Sequence, residues 1–200
     1  MRRFATSVTI VLTAALSALI LAIPASATDG GANQVVLAST TADGASTERS
    51  GLQFALVGGP TVGSENLAQA TSVNCTGCST IAVAFQTVVA TGNPSVVAPH
   101  NAAVAVNGGC TSCSTYAYAY QYVLTTSGTA YLSPTGATQL AAIRAQVSDL
   151  AASGLPFDEL TTRLDELALE FRSVVDANLV APRDISDRAA ARWVDVAPAG

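Results

Sequence analysis

Asn33, Asn66 and Asn101 are each followed twenty residues later by a glutamine, at Gln53, Gln86 and Gln121. In the second and third instances a Cys-x-x-Cys-Ser-Thr segment leads up to that glutamine. A segment that returns every 33 to 35 residues restricts the chain to one supersecondary unit used several times, each copy burying a face against its neighbour. The second copy, from Asn66, and the third, from Asn101, align at a shift of 35. The first copy begins at Asn33, carries Asp43-Gly44 in its turn and ends at Leu52-Gln53-Phe54-Ala55-Leu56; it aligns at a shift of 33 and has neither cysteine.

Within each copy the apolar pattern has a period of two, which is strand behaviour. The spacing predicts a short strand starting at the asparagine, a turn holding Gly and Cys, and a longer strand that runs past the glutamine. In the longer strand Thr80, Ala82, Ala84 and Gln86 share one face, matched in the next copy by Thr115, Ala117, Ala119 and Gln121. A face that stays small in both copies is one that another backbone layer approaches closely, and Asn and Gln at equivalent places can stack their amides from copy to copy. A solenoid-like stack of three coils and a thin two-layer antiparallel β arrangement both satisfy these patterns. The opposite face changes from Ile81, Val83 and Phe85 to Tyr116, Tyr118, Tyr120 and Tyr122. Such a tyrosine row is either a ligand- or partner-binding surface or core covered by the following helices; cover by helices is the more economical reading of so apolar a face.

Cys75, Cys78, Cys110 and Cys113 are the only cysteines. In an exported chain they favour disulfides. Loss of both cysteines together from the first copy favours Cys75 with Cys78 and Cys110 with Cys113, with pairing between stacked copies as the alternative. Two Cys-x-x-Cys pairs are also a zinc pattern. The 31 intervening residues exceed the usual ~15 to 20, however, so no metal or cofactor is assigned. A redox-active thiolate would need a cation or helix N-terminus beside it, and Thr, Gly and Ser surround these pairs.

After Ser133-Pro134, a cap followed by a first-turn proline, Leu140, Ile143, Val147 and Leu150 recur at helical spacing up to Gly154. A second stripe, Leu160, Leu164, Leu167, Phe171, Val174 and Asn178, opens near Pro156 with Asp158 and Glu159 in its first turn. The short connection predicts an antiparallel helical hairpin. The fold class expected is therefore α+β. A signal peptide over residues 1–27 is followed by a β-repeat domain over 28–130, with copies near 33–57, 66–89 and 101–124. A helical hairpin over 131–180 and a flexible, frayed tail over 181–200 complete the chain.

The leader rests on Arg2 and Arg3, the apolar stretch Val8 to Ile23 and the small-x-small site Ala25-Ser26-Ala27. Cleavage there would leave seven arginines against fourteen acids, a balance that repels phosphate backbones and anionic membranes. No nucleic acid and no membrane span after cleavage are expected. Catalytic inventories fail as well. There is no His-Glu-x-x-His and no Gly-x-Ser-x-Gly, His100 is the single histidine, and Gly58 to Ser64 echoes a phosphate loop without its lysine. The acid pairs Asp158/Glu159 and Asp165/Glu166 read as a solvated helix face.

The run Cys-x-x-Cys-x-Thr-x-Ala-x-Ala-x-Gln, preceded by Asn-x-Ala-x-Ala-Val-Asn and followed by a helix pair, resembles a group of actinobacterial exported Cys-x-x-Cys β-repeat proteins and domains. Some of these are labelled peptide zinc metalloproteases. The match covers about residues 33 to 180. The resemblance implies a secreted or envelope-associated domain. The sequence reading as a whole is of a non-catalytic structural or interaction module, secreted or cell-wall associated, with a cell-envelope protein or glycan as partner. An envelope thiol-disulfide or zinc-dependent enzyme using the Cys-x-x-Cys pairs is the alternative.

Overall fold

The computed structural model describes residues 30–181 and 185–197; the expected leader at 1–27 lies outside them. Strands β1 (Gly30–Thr40), β2 (Ser46–Gly58), β3 (Thr61–Val73), β4 (Ser79–Thr91), β5 (Val96–Gly108) and β6 (Ser114–Thr126) come first. They are followed by β7 (Tyr131–Leu132), α1 (Pro134–Ala151), α2 (Phe157–Asn178), β8 (Leu179–Val180) and β9 (Ile185–Ala197). The chain is α+β and dominated by strands.

Among the first six strands, odd and even members separate into two sheets, β1-β3-β5 and β2-β4-β6, and β9 joins the second beside β6. The first six strands pair in parallel throughout, so the antiparallel two-layer expectation is corrected. A chain that reverses at every turn yet places each strand beside its second predecessor must coil, and each coil contributes one strand to each sheet. The two strands of a coil are also of similar length, and Asn66 and Asn101 lie well inside β3 and β5 rather than at their starts.

The inward faces are small. Ala68 and Ala70 from one sheet meet Ala82, Ala84, Ala117 and Ala119 from the other. Polar ladders flank this alanine layer. At one end Thr80 Oγ1 donates to Thr40 Oγ1 at 2.7 Å, and Ser72 Oγ shares hydrogen bonds with Thr80 and Thr115 at 2.8 and 2.7 Å. At the other end Gln121 Nε2 donates to Gln86 Oε1 and Gln86 Nε2 to Gln53 Oε1, both at 2.7 Å. Asn66 Nδ2 donates to Asn101 Oδ1 at 2.8 Å and to the carbonyls of Ala84 and Tyr120. Gln86 and Asn66 are fully buried, and their donors are satisfied by neighbouring coils, as burial of amides requires.

The glutamine spacing survives in register, since Gln53 faces Gln86 and Gln86 faces Gln121. The asparagine spacing does not extend to the first coil. Asn66 faces Gln34, while exposed Asn33 faces Glu65. The cause lies in the turn: five residues separate Thr40 from Ser46, whereas six separate their register partners Ser72 and Ser79. The turn without cysteines is one residue shorter, which slips the sequence alignment of β1 by one. Gln34 is one methylene longer than the asparagines it replaces. The position opposite compensates, for Gly51 stands in register with Ala84 and Ala119. A Cβ on Gly51 would come within 2.9 Å of Val36 Cγ2 and 3.1 Å of Gln34 Nε2.

The outward face of β4 and β6 carries the main core. Phe85, Tyr116, Tyr118 and Tyr122 are fully buried beneath Leu140, Ile143, Val147, Leu160, Leu164 and Phe171 of the helices. Pro134 opens α1 behind Ser133, whose Oγ accepts from Gly136 N at 3.0 Å. The antiparallel ribbon of β7 and β8 brings the start of α1 beside the end of α2, where Ser133 N donates to Asn178 O at 3.0 Å. In the last turns of α2 Val175 is fully buried, and Val174 of the expected stripe packs partly buried against the same core.

For residues 185–197 the expectation of a flexible tail is corrected, because they form β9, which pairs antiparallel with β6 along Thr115 to Thr126. Asp195 Oδ2 accepts from Ala105 N at 2.8 Å and Ala191 O from Asn101 Nδ2 at 3.0 Å. The last strand therefore covers the third coil and touches both sheets there. Its Ala-rich sequence has too little periodicity to announce a strand, and pairing with β6 decides it.

Gly51→Ala is expected to cost about 1–3 kcal/mol through overpacking. Gly51→Ala combined with Gln34→Asn and Val36→Ala recreates the set found in the other coils, where Ala68 and Ala103 stand in register with Val36, and relieves both close contacts. Urea midpoints of the wild type, the Gly51→Ala variant, the Gln34→Asn/Val36→Ala variant and the triple variant test the coupling, which is expected to recover most of the loss.

Candidate functional site

The five-residue turns that join β3 to β4 and β5 to β6 lie one above the other at one end of the stack. Thr76 bridges Thr111 in parallel. Gly77 N donates to Thr111 O at 2.8 Å, Thr111 N to Cys75 O at 3.1 Å and Ser114 N to Cys78 O at 2.8 Å. Each turn is curled by left-handed residues immediately before its cysteines: Asn74 (φ 52°) and Gly77 (φ 64°) in one, Gly109 (φ 64°) and Ser112 (φ 56°) in the other. That curl brings both sulfurs of a turn together, and stacking brings the two turns together.

All four sulfurs consequently lie within 4.8 Å of one another. Cys75 Sγ is 3.8 Å from both Cys110 Sγ and Cys113 Sγ. Cys78 Sγ is within bonding reach of Cys75 and of Cys113. One sulfur makes one disulfide, so these are alternative partners: one within a turn, as favoured from sequence, and one between coils. The Cys78 and Cys113 Cα atoms are 4.7 Å apart, within the range that a disulfide spans. Cys75, Cys78 and Cys113 are buried, and Cys110 is partly exposed. In the first coil Asp43 occupies the corresponding turn, its Oδ1 accepting from Thr76 N at 2.7 Å. A carboxylate cap there does the turn-to-turn tying that sulfur does between the next two coils.

Of the two readings of the tyrosine row, cover by the helices is the one the structure shows, and the alternative of a ligand- or partner-binding surface is corrected. Tyr116, Tyr118 and Tyr122 are fully buried and Tyr120 is 6% exposed. Phe85 stacks on Tyr118 at 5.6 Å between ring centroids and meets Phe171 edge-on at 5.8 Å, while Tyr116 lies 5.0 Å from Phe157. Three of the hydroxyls are directed at α2: Tyr116 shares a bond with Thr161 at 2.9 Å, Tyr118 donates to Asp165 at 2.9 Å and Tyr122 donates to Asp176 at 2.6 Å. Arg192 of β9 also pairs with Asp165, and Arg172 lies over the Tyr122 ring. Asp165 is thus a docking residue rather than part of a solvated face. Burial pushes the Tyr116 phenol up to about 12. Burial, with the Asp165 carboxylate second, raises Tyr118, and burial raises Tyr120.

The remaining candidates disperse. His100 is exposed on the outer face of β5, and the Gly58–Ser64 segment is a tight turn entering β3, its Pro60 carbonyl accepting from Ser95 N at 2.9 Å. Sequence reading missed the pairing of tyrosines with acids on α2. Its only signal was that Thr161, Asp165 and Asp176 recur at helical spacing beside the apolar stripe.

Raised phenol values favour the protonated, folded form, so this stability is complete below pH 10.0, the ordinary tyrosine value, and falls as pH rises towards 12. Urea midpoints measured with phenolate absorbance across that window check it, and Tyr118→Phe is expected to shallow the decline. Tyr118→Ala is expected to cost about 3–5 kcal/mol, as for other large core deletions. Comparison with family models, curated proteins and solved structures finds no match to this chain.

Proposed function

We propose that the chain is a three-copy β-repeat module, exported and stapled by disulfides, that serves as a non-catalytic structural or interaction element of the cell envelope. The observation that carries this reading is the convergence of the four cysteine sulfurs within 4.8 Å where two turns stack. In an oxidising compartment, cross-links there tie together the segments whose pairing defines the coil. The likeness to actinobacterial exported Cys-x-x-Cys β-repeat domains points the same way.

With the tyrosine row buried, the partner surface moves to the opposite side of the molecule. The outer face of β1-β3-β5 leaves Val35, Leu37 and Val106 exposed, at 51%, 58% and 43%. An envelope protein fits that surface better than a glycan, since the face offers aliphatic side chains rather than aromatic rings.

A thiol-disulfide oxidoreductase is the second reading, favoured by the gathering of four sulfurs within 4.8 Å, which allows exchange between partners. It requires an accessible, low-pKa attacking thiolate, whereas Cys78 is 2% exposed.

Protein recovered from an oxidising compartment is expected to carry no free thiols, and reduction is expected to destabilise it by about 2–4 kcal/mol per bridge. Leu37→Arg is expected to change stability by no more than about 0.5 kcal/mol while reducing the fraction that cosediments with isolated envelope material. Catalytic turnover of a model disulfide, with a reduction potential well above roughly −200 mV, would select the oxidoreductase instead.

A further inference from the structure

We infer that Cys75, Cys78, Cys110 and Cys113, before they are oxidised, form a tetrathiolate site for one soft tetrahedral cation, with Zn²⁺ as the best fit. Spacing along the chain argues against such a site only until the coil is considered. The 31 residues between the two Cys-x-x-Cys pairs are one strand out and one strand back. Their ends return to stacked turns, and the site is closed by topology rather than by a short loop.

The dimensions agree. A cation with Zn–S bonds of about 2.3 Å at a tetrahedral centre holds its sulfurs about 3.8 Å apart. Cys75 Sγ stands 3.8 Å from Cys110 Sγ and 3.8 Å from Cys113 Sγ, and no pair exceeds 4.8 Å. Cys78 lies closer to its neighbours and must swing outward by on the order of 1.5 Å to meet the tetrahedral spacing. Two sulfurs from each of two turns is the ligand arrangement that a closed structural zinc site uses. Burial of three cysteines keeps competing water away, and partly exposed Cys110 provides the path of entry.

Binding is a proton exchange without change of oxidation state. Four S–H bonds break, four Zn–S bonds form, and four protons leave to solvent. The nascent chain already carries its cysteines as thiols, so no reductant enters the step. The cation itself supplies the positive charge that ionises the thiols. Metal binding and disulfide formation use the same sulfurs, so each excludes the other.

The test uses the full mature chain, reduced, stripped of metal under anaerobic conditions, and titrated with Zn²⁺ and in parallel with Co²⁺. One metal ion per chain is expected, with release of protons. Co²⁺ should give the intense thiolate charge-transfer and tetrahedral ligand-field bands of a four-sulfur centre. Cys110→Ser is expected to weaken Zn²⁺ binding by more than about 100-fold, beyond what loss of an outer-shell partner costs. Oxidised wild-type chain is expected to bind none. If the reduced apo chain is unfolded, Zn²⁺ must restore the β-rich circular dichroism spectrum. Substoichiometric binding, a spectrum of fewer than four thiolates, equal binding by the oxidised chain, or failure of Zn²⁺ to refold an unfolded reduced chain would each overturn the inference. None of these outcomes bears on the thiol content of oxidised protein, which tests the disulfide-stapled reading separately.

Discussion

The narrow space between the two sheets is the constraint on which everything else depends. Alanine at 68, 70, 82, 84, 117 and 119 leaves room for little more than a methyl group from each side. Such a layer contributes modest apolar burial, so the coils depend on ordered polar contacts at its margins. The amides of Gln53, Gln86 and Gln121 and the hydroxyls of Thr40, Ser72, Thr80 and Thr115 supply these, each bonding across coils. Every such group buried without a partner would cost about 1–3 kcal/mol. A slip in register is therefore penalised at both ends of the layer at once. The Gln34–Gly51 compensation in the first coil is a local response to the same narrowness.

Because the interior is thin, the thick core has to form elsewhere. It lies between the outer face of β2-β4-β6 and the helical hairpin, where aromatic rings from both sides interlock. Hydroxyl contacts from Tyr116 to Thr161, from Tyr118 to Asp165 and from Tyr122 to Asp176 fix the rotation of α2 over this face, and Arg192 links β9 to the same helix through Asp165. The molecule is thereby sided. One sheet is roofed by helices, while the other keeps its aliphatic outer face in solvent. That asymmetry places the exposed aliphatic side chains Val35, Leu37 and Val106 on the sheet away from the helices.

At the cysteine end the same stacking that aligns the strands also concentrates four sulfurs. Two outcomes are open to such a cluster: covalent bridges in an oxidising compartment or thiolate coordination before oxidation. Both reinforce the contact between the second and third coils. The contact between the first and second is held instead by Asp43 on the Thr76 amide and by backbone bonds from Gly44 to Thr76 and from Ser79 to Ala45.

Much of this was legible in the residues. Period-two alternation and the recurrence of Thr-x-Ala-x-Ala-x-Gln determined the small inward face and the glutamine register, because side-chain direction along a strand is fixed by the backbone. The helical stripes and the Ser133-Pro134 start determined α1 and α2 in the same local way. Whether strands pair in parallel, which partner each cysteine meets, and what covers the tyrosines are set by contacts between residues far apart in the chain. The one-residue slip of β1, invisible in an alignment of asparagines, was decided by the length of a turn. The strand at 185–197 was decided by the unpaired edge of β6. Sequence determined the faces; tertiary structure decided which faces meet, since only stacking brings distant turns, edges and rings within bonding distance.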